Sequence, residues 1–255
     1  MTPAYFDKVR PTYLENWSAG LTDLSIEQIG LPLTLHEARA LGSANQEFGN
    51  WFANQQSNND FKEKIAHITE RIEKALAEYS AGAFVRLGSR SAKDSIYARI
   101  RGLRISDAAS AVKLLTSDSR RIAFDLRLAL KHDYKPYIFV RRWLEIPVWA
   151  EFRCFMRDRK LIGISQYDCQ NAQFHPQIHE HADQIKSAVE SFFEQVYLRS
   201  HLDDAVFDVF VEISFPHREN FLKVTLLEIN PFIPQTDACL FNWSKNDFDG
   251  SFRFL

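Results

Sequence analysis

Several things are missing from this chain of 255 residues. No uninterrupted apolar run approaches the roughly 20 residues needed to span a bilayer, so no membrane partner is expected. The stretch Met1 to Arg10 lacks a basic segment followed by an apolar core, so no secretory signal is expected. There are only three cysteines, Cys154, Cys169 and Cys239, an odd number with no CxxC pair. They predict reduced thiols in a cytoplasmic protein, and neither a disulfide frame nor a zinc site. No P-loop signature occurs, and no GxGxxG follows a strand pattern. No Ser-His-Asp or Cys-His arrangement can be argued from the order of residues. A net charge of −2 excludes a polycation as a whole.

What is present is ordinary for a globular chain: 45% hydrophobic and 25% charged residues. The length allows one large domain or two lobes. The charge is uneven. Between Val85 and Arg104 stand six cations (Arg86, Arg90, Lys93, Arg99, Arg101, Arg104) and one acid, Asp94. Such a stretch suits polyphosphate or an RNA backbone, or it is a solvated face. Gly88-Ser89-Arg90-Ser91 is small and flexible enough to approach phosphate.

Leu24 to Leu33 reads as an edge strand or a loop, and 54–60 as a polar linker. Asp60 is placed to cap a helix running to about Tyr79, with Ile65, Ile68, Ile72 and Leu76 at helical spacing. Residues 83–87 read as a strand, and two more helices follow, after Asp107 and Ser119. From Tyr137 the pattern turns β-rich. We therefore expect an N-terminal region with a small lobe over 1–136 and a second lobe over 137–255.

In the second lobe 150–156 alternates cleanly. Ala150, Phe152, Cys154 and Met156 face one way, and Glu151, Arg153 and Phe155 the other. Glu151 and Arg153 could pair, or Arg153 could reach phosphate. A turn at 157–159 returns the chain as a hairpin over 160–166, and a helix covers 183–198. His175, His179 and His181 lack a matching acid or cysteine set, so a solvated loop or helix start is expected.

Two acids sit inside apolar, β-forming runs: Asp208 in Val206–Phe210 and Glu228 in Leu227–Pro231. Buried carboxylates are costly without compensation. Pairing Ile213 with Lys223, around a loop at 215–221, sets Asp208 opposite Glu228, with Cβ atoms about 4.5–5.5 Å apart. Magnesium between them fits, with Asn230 adding a neutral oxygen. The alternative is that each acid pairs with a nearby Arg or Lys.

With these segments in view, the chain resembles the cell division cycle protein 123 family, a divergent branch of the ATP-grasp fold. The resemblance is carried by Phe84–Leu87 with Ser91–Asp94, by Val140–Trp143, and by Glu151–Phe155 with Leu161–Gln166. It continues in Phe207–Phe210, Glu228–Phe232, Thr236-Asp237 and Leu240–Trp243. It implies an α+β fold with two lobes clamping Mg-ATP between antiparallel sheets. It places metal ligands on Asp208, Glu228 and Asn230, and phosphate-binding cations on Arg86, Lys93 and Arg153. A hinge strand along adenine falls on Arg141, Arg142, Trp143 and Leu144. The chain departs from the family in having Arg86 for the usual Lys, Tyr167 for an Arg, and Glu228 for an Asp. These departures suggest a compact, non-eukaryotic relative.

Two functions follow. One is an ATP-dependent ligase, of acyl-phosphate or nucleotidyl-transfer type, with an unknown acceptor that could be RNA through residues 85–104. The alternative is a non-catalytic, ATP-binding assembly chaperone for a translation initiation factor, with a protein client. No catalytic residue beyond the nucleotide shell is assigned by either.

Overall fold

A computed structural model describes residues 3–45, 48–52, 58–170, 173–213 and 222–255. The expected loop at 215–221 and residues 54–57 of the expected linker lie outside these. The chain divides into two compact units, one of residues 27–144 and one of 1–26 with 145–255. The sequence-based boundary at 136/137 falls elsewhere, just before a strand that belongs to the 27–144 unit.

In the 27–144 unit four strands form an antiparallel sheet: β1 (Gln28–Pro32), β2 (Ala83–Leu87), β3 (Arg104–Ile105) and β4 (Tyr137–Arg142), in the order β1-β4-β2-β3. Leu24 to Leu33 thus contributes an edge strand. The helices of this unit are α3 (Leu35–Ser43), α4 (Asn58–Leu76), α5 (Ile96–Arg101), α6 (Ala108–Thr116) and α7 (Arg120–Lys131). α4 starts at Asn58, so Asp60 lies in its first turn and does not cap it. Asp107 and Ser119 do cap α6 and α7, each accepting a backbone N–H three residues on. Ile68 and Ile72 of α4 and Leu114 of α6 meet Val85, Leu87 and Val140 of the sheet in one core. The period-two alternation then sends Phe84, Arg86, Phe139 and Arg141 to the opposite face of the sheet.

The other unit carries α1 (Pro3–Val9), α2 (Ala19–Thr22) and α8 (Pro176–Arg199), with β5 (Glu151–Arg157), β6 (Lys160–Gln166), β7 (Ala205–Ile213), β8 (Leu222–Asn230) and β9 (Phe252–Arg253). Their order is β8-β7-β5-β6-β9, antiparallel except for the β6–β9 pair. Asp158 and Arg159 join β5 to β6 with φ of 48° and 60°. Two left-handed residues make a type I′ turn, whose twist suits a hairpin. The N-terminal segment joins this unit through β8. Leu226 N–H donates to the Leu24 carbonyl at 2.9 Å, and the Ser25 hydroxyl donates to the Leu226 carbonyl at 2.7 Å.

Phe152, Cys154 and Met156 face a core shared with Ile185 and Val189 of α8 and with Phe207 and Val209 of β7. The alternation read from the sequence holds along the whole of β5. On the other face Phe155 packs among Phe241, Phe248 and Trp243, with ring centroids 4.9–6.2 Å apart. No helix among the described residues is long and apolar enough to cross a membrane.

Candidate functional site

The acids of β7 and β8 meet. Asp208 pairs with Glu228 and Val206 with Asn230. The outer half of the ladder, however, pairs Ile213 with Leu222, not with Lys223. A β-bulge between Asp208 and Val209 absorbs the difference, because β8 spends one extra residue, Leu227, there. Leu226 therefore does not share a face with Glu228. It crosses to the core, beside Phe207 and Val209.

The neighbouring strand β5 sets Arg153 opposite Asp208. The pair is bidentate: Arg153 Nε donates to Asp208 Oδ1 at 2.7 Å and Nη2 to Oδ2 at 2.8 Å. Asn230 Nδ2 adds a bond to Asp208 Oδ2 at 3.0 Å, and Arg153 Nη1 donates to the Asp237 carbonyl at 3.0 Å. The side chains of Arg153 and Asp208 are only 7% and 1% exposed. Burial by itself would lower the Arg153 pKa. The charge and hydrogen bonds of Asp208 more than reverse this and hold the guanidinium charged. Arg153 also lies 4.9 Å from the centroid of the Tyr167 ring. Burial, and then the charge of Asp208, push the Tyr167 phenol up, so the ring is neutral and suits a cation over its face.

This corrects one expectation. Arg153 and Glu151 do not form the local pair, because a cross-strand partner offers both oxygens to the planar fork. Of the two alternatives left open for Asp208, a neighbouring Arg is its partner.

Three oxygen-bearing side chains thus gather on one face of β7 and β8: Asp208, Glu228 and Asn230. Among the described residues no group of three or more His, Cys, Asp and Glu is placed to hold a metal ion. The Asn230 amide makes up the number. Its nitrogen is used on Asp208, which leaves its oxygen to accept. Two carboxylates, one cation and one amide sum to a single negative charge. The donor set fits a hard divalent cation in kind.

The other expected nucleotide residues lie on the 27–144 unit. Arg86 is buried, and its Nε donates to the Leu87 carbonyl at 2.9 Å. Arg141 is 1% exposed and lies diagonally from Arg86 on the same face, across the β2–β4 pair. Lys93 and Arg142 are exposed, and Trp143 and Leu144 are half-buried. Trp143 N–H donates to the Gly82 carbonyl at 3.3 Å. The basic stretch at 85–104 is not one face. Arg86 turns inward, Arg90 holds Asp125 with bonds of 3.0 and 2.8 Å, and Arg104 Nε donates to the Ala81 carbonyl at 3.0 Å. Lys93, Arg99 and Arg101 are exposed.

His175, His179 and His181 have separate neighbours: Asp168 at 3.3 Å, the Leu255 carbonyl at 2.8 Å and Gln184 at 2.9 Å. They sit at the start of α8. Tyr167 and Asp237 are the site residues that sequence reasoning passed over. The signal for Tyr167 was its place where the family carries a cation.

A family profile described as D123 matches residues 22–249. The chain belongs to the D123 family. Among curated relatives, a "Translation initiation factor eIF2 assembly protein" of Sclerotinia sclerotiorum is 28% identical over 205 residues, covering 76% of this chain and 48% of that protein. A protein of the same name from Xenopus laevis is 27% identical over 192 residues, covering 69% and 52%. The D123 chain described here thus spans about half the length of these relatives. The solved structure of Cdc123 from Schizosaccharomyces pombe matches with a TM-score of 0.72 at 23% identity, over 94% of this chain and 90% of that one. The α+β architecture, with its two chiefly antiparallel sheets, is therefore shared with Cdc123.

Proposed function

We propose that this D123 chain binds Mg-ATP and acts as an assembly factor for a translation initiation factor. The observation that carries this reading is the Arg153–Asp208–Asn230 cluster opposite Glu228, in a chain whose relatives are named assembly proteins. Glu228 and Asn230 hold the metal directly. Asp208 contributes from a position already neutralised by Arg153, and it orients both Arg153 and Asn230. The metal, when bound, neutralises phosphate charge. On the 27–144 unit, Arg86 and Lys93 would supply positive potential for phosphate, and Arg141 to Leu144 are the residues that the resemblance assigns to the base. The names of the relatives favour assembly over ligation, the other function read from the sequence.

The test is direct. Separated eIF2 subunits are mixed with the purified chain and Mg-ATP, and joined subunits are measured by gel filtration. The yield is expected to exceed that without the chain. An equal yield would contradict assembly.

A further inference from the structure

Two of the three cysteines meet although 69 residues separate them in sequence. Cys169 lies in the loop after β6 and Cys239 in the segment after β8, and both sit at the Tyr167 carbonyl, to which the Cys169 N–H donates at 2.9 Å. Cys239 Sγ also lies 3.9 Å from the Tyr167 carbonyl oxygen. The two segments are tied on either side of the thiols. Gln170 Nε2 donates to Asp237 Oδ2 at 3.4 Å, and Leu240 N–H donates to the Ser165 hydroxyl at 3.2 Å.

Cys239 itself sits at φ of 51°, in the left-handed region that a non-glycine residue seldom occupies. Asp237 Oδ1 accepts its backbone N–H at 2.9 Å and holds that turn. Both thiols are half-buried, whereas Cys154 is fully buried in the core.

We propose that Cys169 and Cys239 form a reversible disulfide in the presence of a low-molecular-weight disulfide. Cys169, the first to react, attacks one sulfur of the small disulfide as its thiolate and expels one small thiolate. Cys239 then attacks the Cys169 sulfur of the mixed disulfide and expels the second. The two protons of the protein thiols end on the two departing thiolates. The protein loses two electrons and the small disulfide gains two.

Burial pushes both thiols up, and the Arg153 cation opposes burial at each. Exchange is therefore slower than for a low-pKa thiol, and the bonds that hold the two segments together favour the closing step. The bond ties together two elements of the Arg153 environment: Asp237, whose carbonyl takes Nη1, and Tyr167, whose ring lies beside the guanidinium.

The full chain, reduced and then freed of reductant, is incubated with excess oxidised glutathione. Remaining thiols are alkylated under denaturing conditions and peptides are read by mass spectrometry. The expected result is a Cys169–Cys239 cross-linked peptide with Cys154 alkylated, reversed by dithiothreitol, and an unfolding midpoint higher than that of the reduced chain. In Cys169→Ser the cross-link and the rise in midpoint are expected to vanish. Glutathione adducts without a cross-link in the wild-type chain would overturn the proposal. So would a cross-link to Cys154, or full alkylation of Cys169 and Cys239.

Discussion

Removing the Asp208 carboxylate by Asp208→Ala leaves the Arg153 guanidinium, 7% exposed, without its counter-ion. Nη1 keeps the Asp237 carbonyl, and the Tyr167 ring stays beside it, but neither carries a charge. Breaking a buried pair in this way costs about 3–5 kcal/mol. With a urea m-value of about 3 kcal/mol/M, the midpoint should fall by about 1–2 M. Replacing both partners with apolar residues, in Arg153→Met/Asp208→Leu, removes the buried charge as well as its partner. That double variant should recover most of the loss, since apolar substitution of a whole buried pair is often neutral or stabilising. The assay is equilibrium urea unfolding followed by tryptophan fluorescence. A fall below about 0.2 M for Asp208→Ala, on the same m-value, would refute a buried pair. A double variant as unstable as the sum of the two single variants would refute it too. The comparison also separates two views of Asp208. An exposed metal ligand could be removed at no cost to the fold, whereas a counter-ion could not.

Glu37 is held below its ordinary pKa of 4.5. Burial opposes this, but the Thr34 backbone N–H, His67, the Thr34 hydroxyl and Arg71 outweigh it. Its contribution is therefore complete above about pH 4.5 and is lost as the pH falls through the lower folded value. Glu37→Gln should flatten that part of the stability–pH curve, and an unaltered slope would contradict the assignment. Gly163 on β6 is a second test, because a Cβ there would lie 2.6 Å from Phe241 Cζ. Gly163→Ala should cost about 1–3 kcal/mol by overpacking, read from urea unfolding. A neutral substitution would show that the aromatic cluster gives way freely.

Much of the site was legible because it rests on short-range alternation. Glu151, Arg153 and Phe155 had to share a face once 150–156 was a strand. Asp208 and Glu228 stood out as charges in apolar runs. The bulge was not legible, because Leu226 and Leu227 are both apolar and either can face the core. One extra residue there reverses every side chain beyond it. The partner of Arg153 was missed for another reason. Glu151 is near in sequence, but strand order decides who lies opposite, and β7 takes that place. The contact between Cys169 and Cys239 has no local pattern at all. Residues 1–26 join the second unit through Leu21, Trp17 and Leu24 packed on its core and through bonds to the Leu226 backbone and the Arg199 carbonyl, long-range partners that no local spacing reveals.

Calorimetric titration of the wild-type chain and of Glu228→Gln with ATP, with and without magnesium, tests the central claim most directly. Magnesium-dependent binding to the wild type, with that dependence lost in a folded Glu228→Gln, is the predicted result. Binding that ignores magnesium in both chains, or no binding to the wild type, would contradict a metal–nucleotide site on β7 and β8.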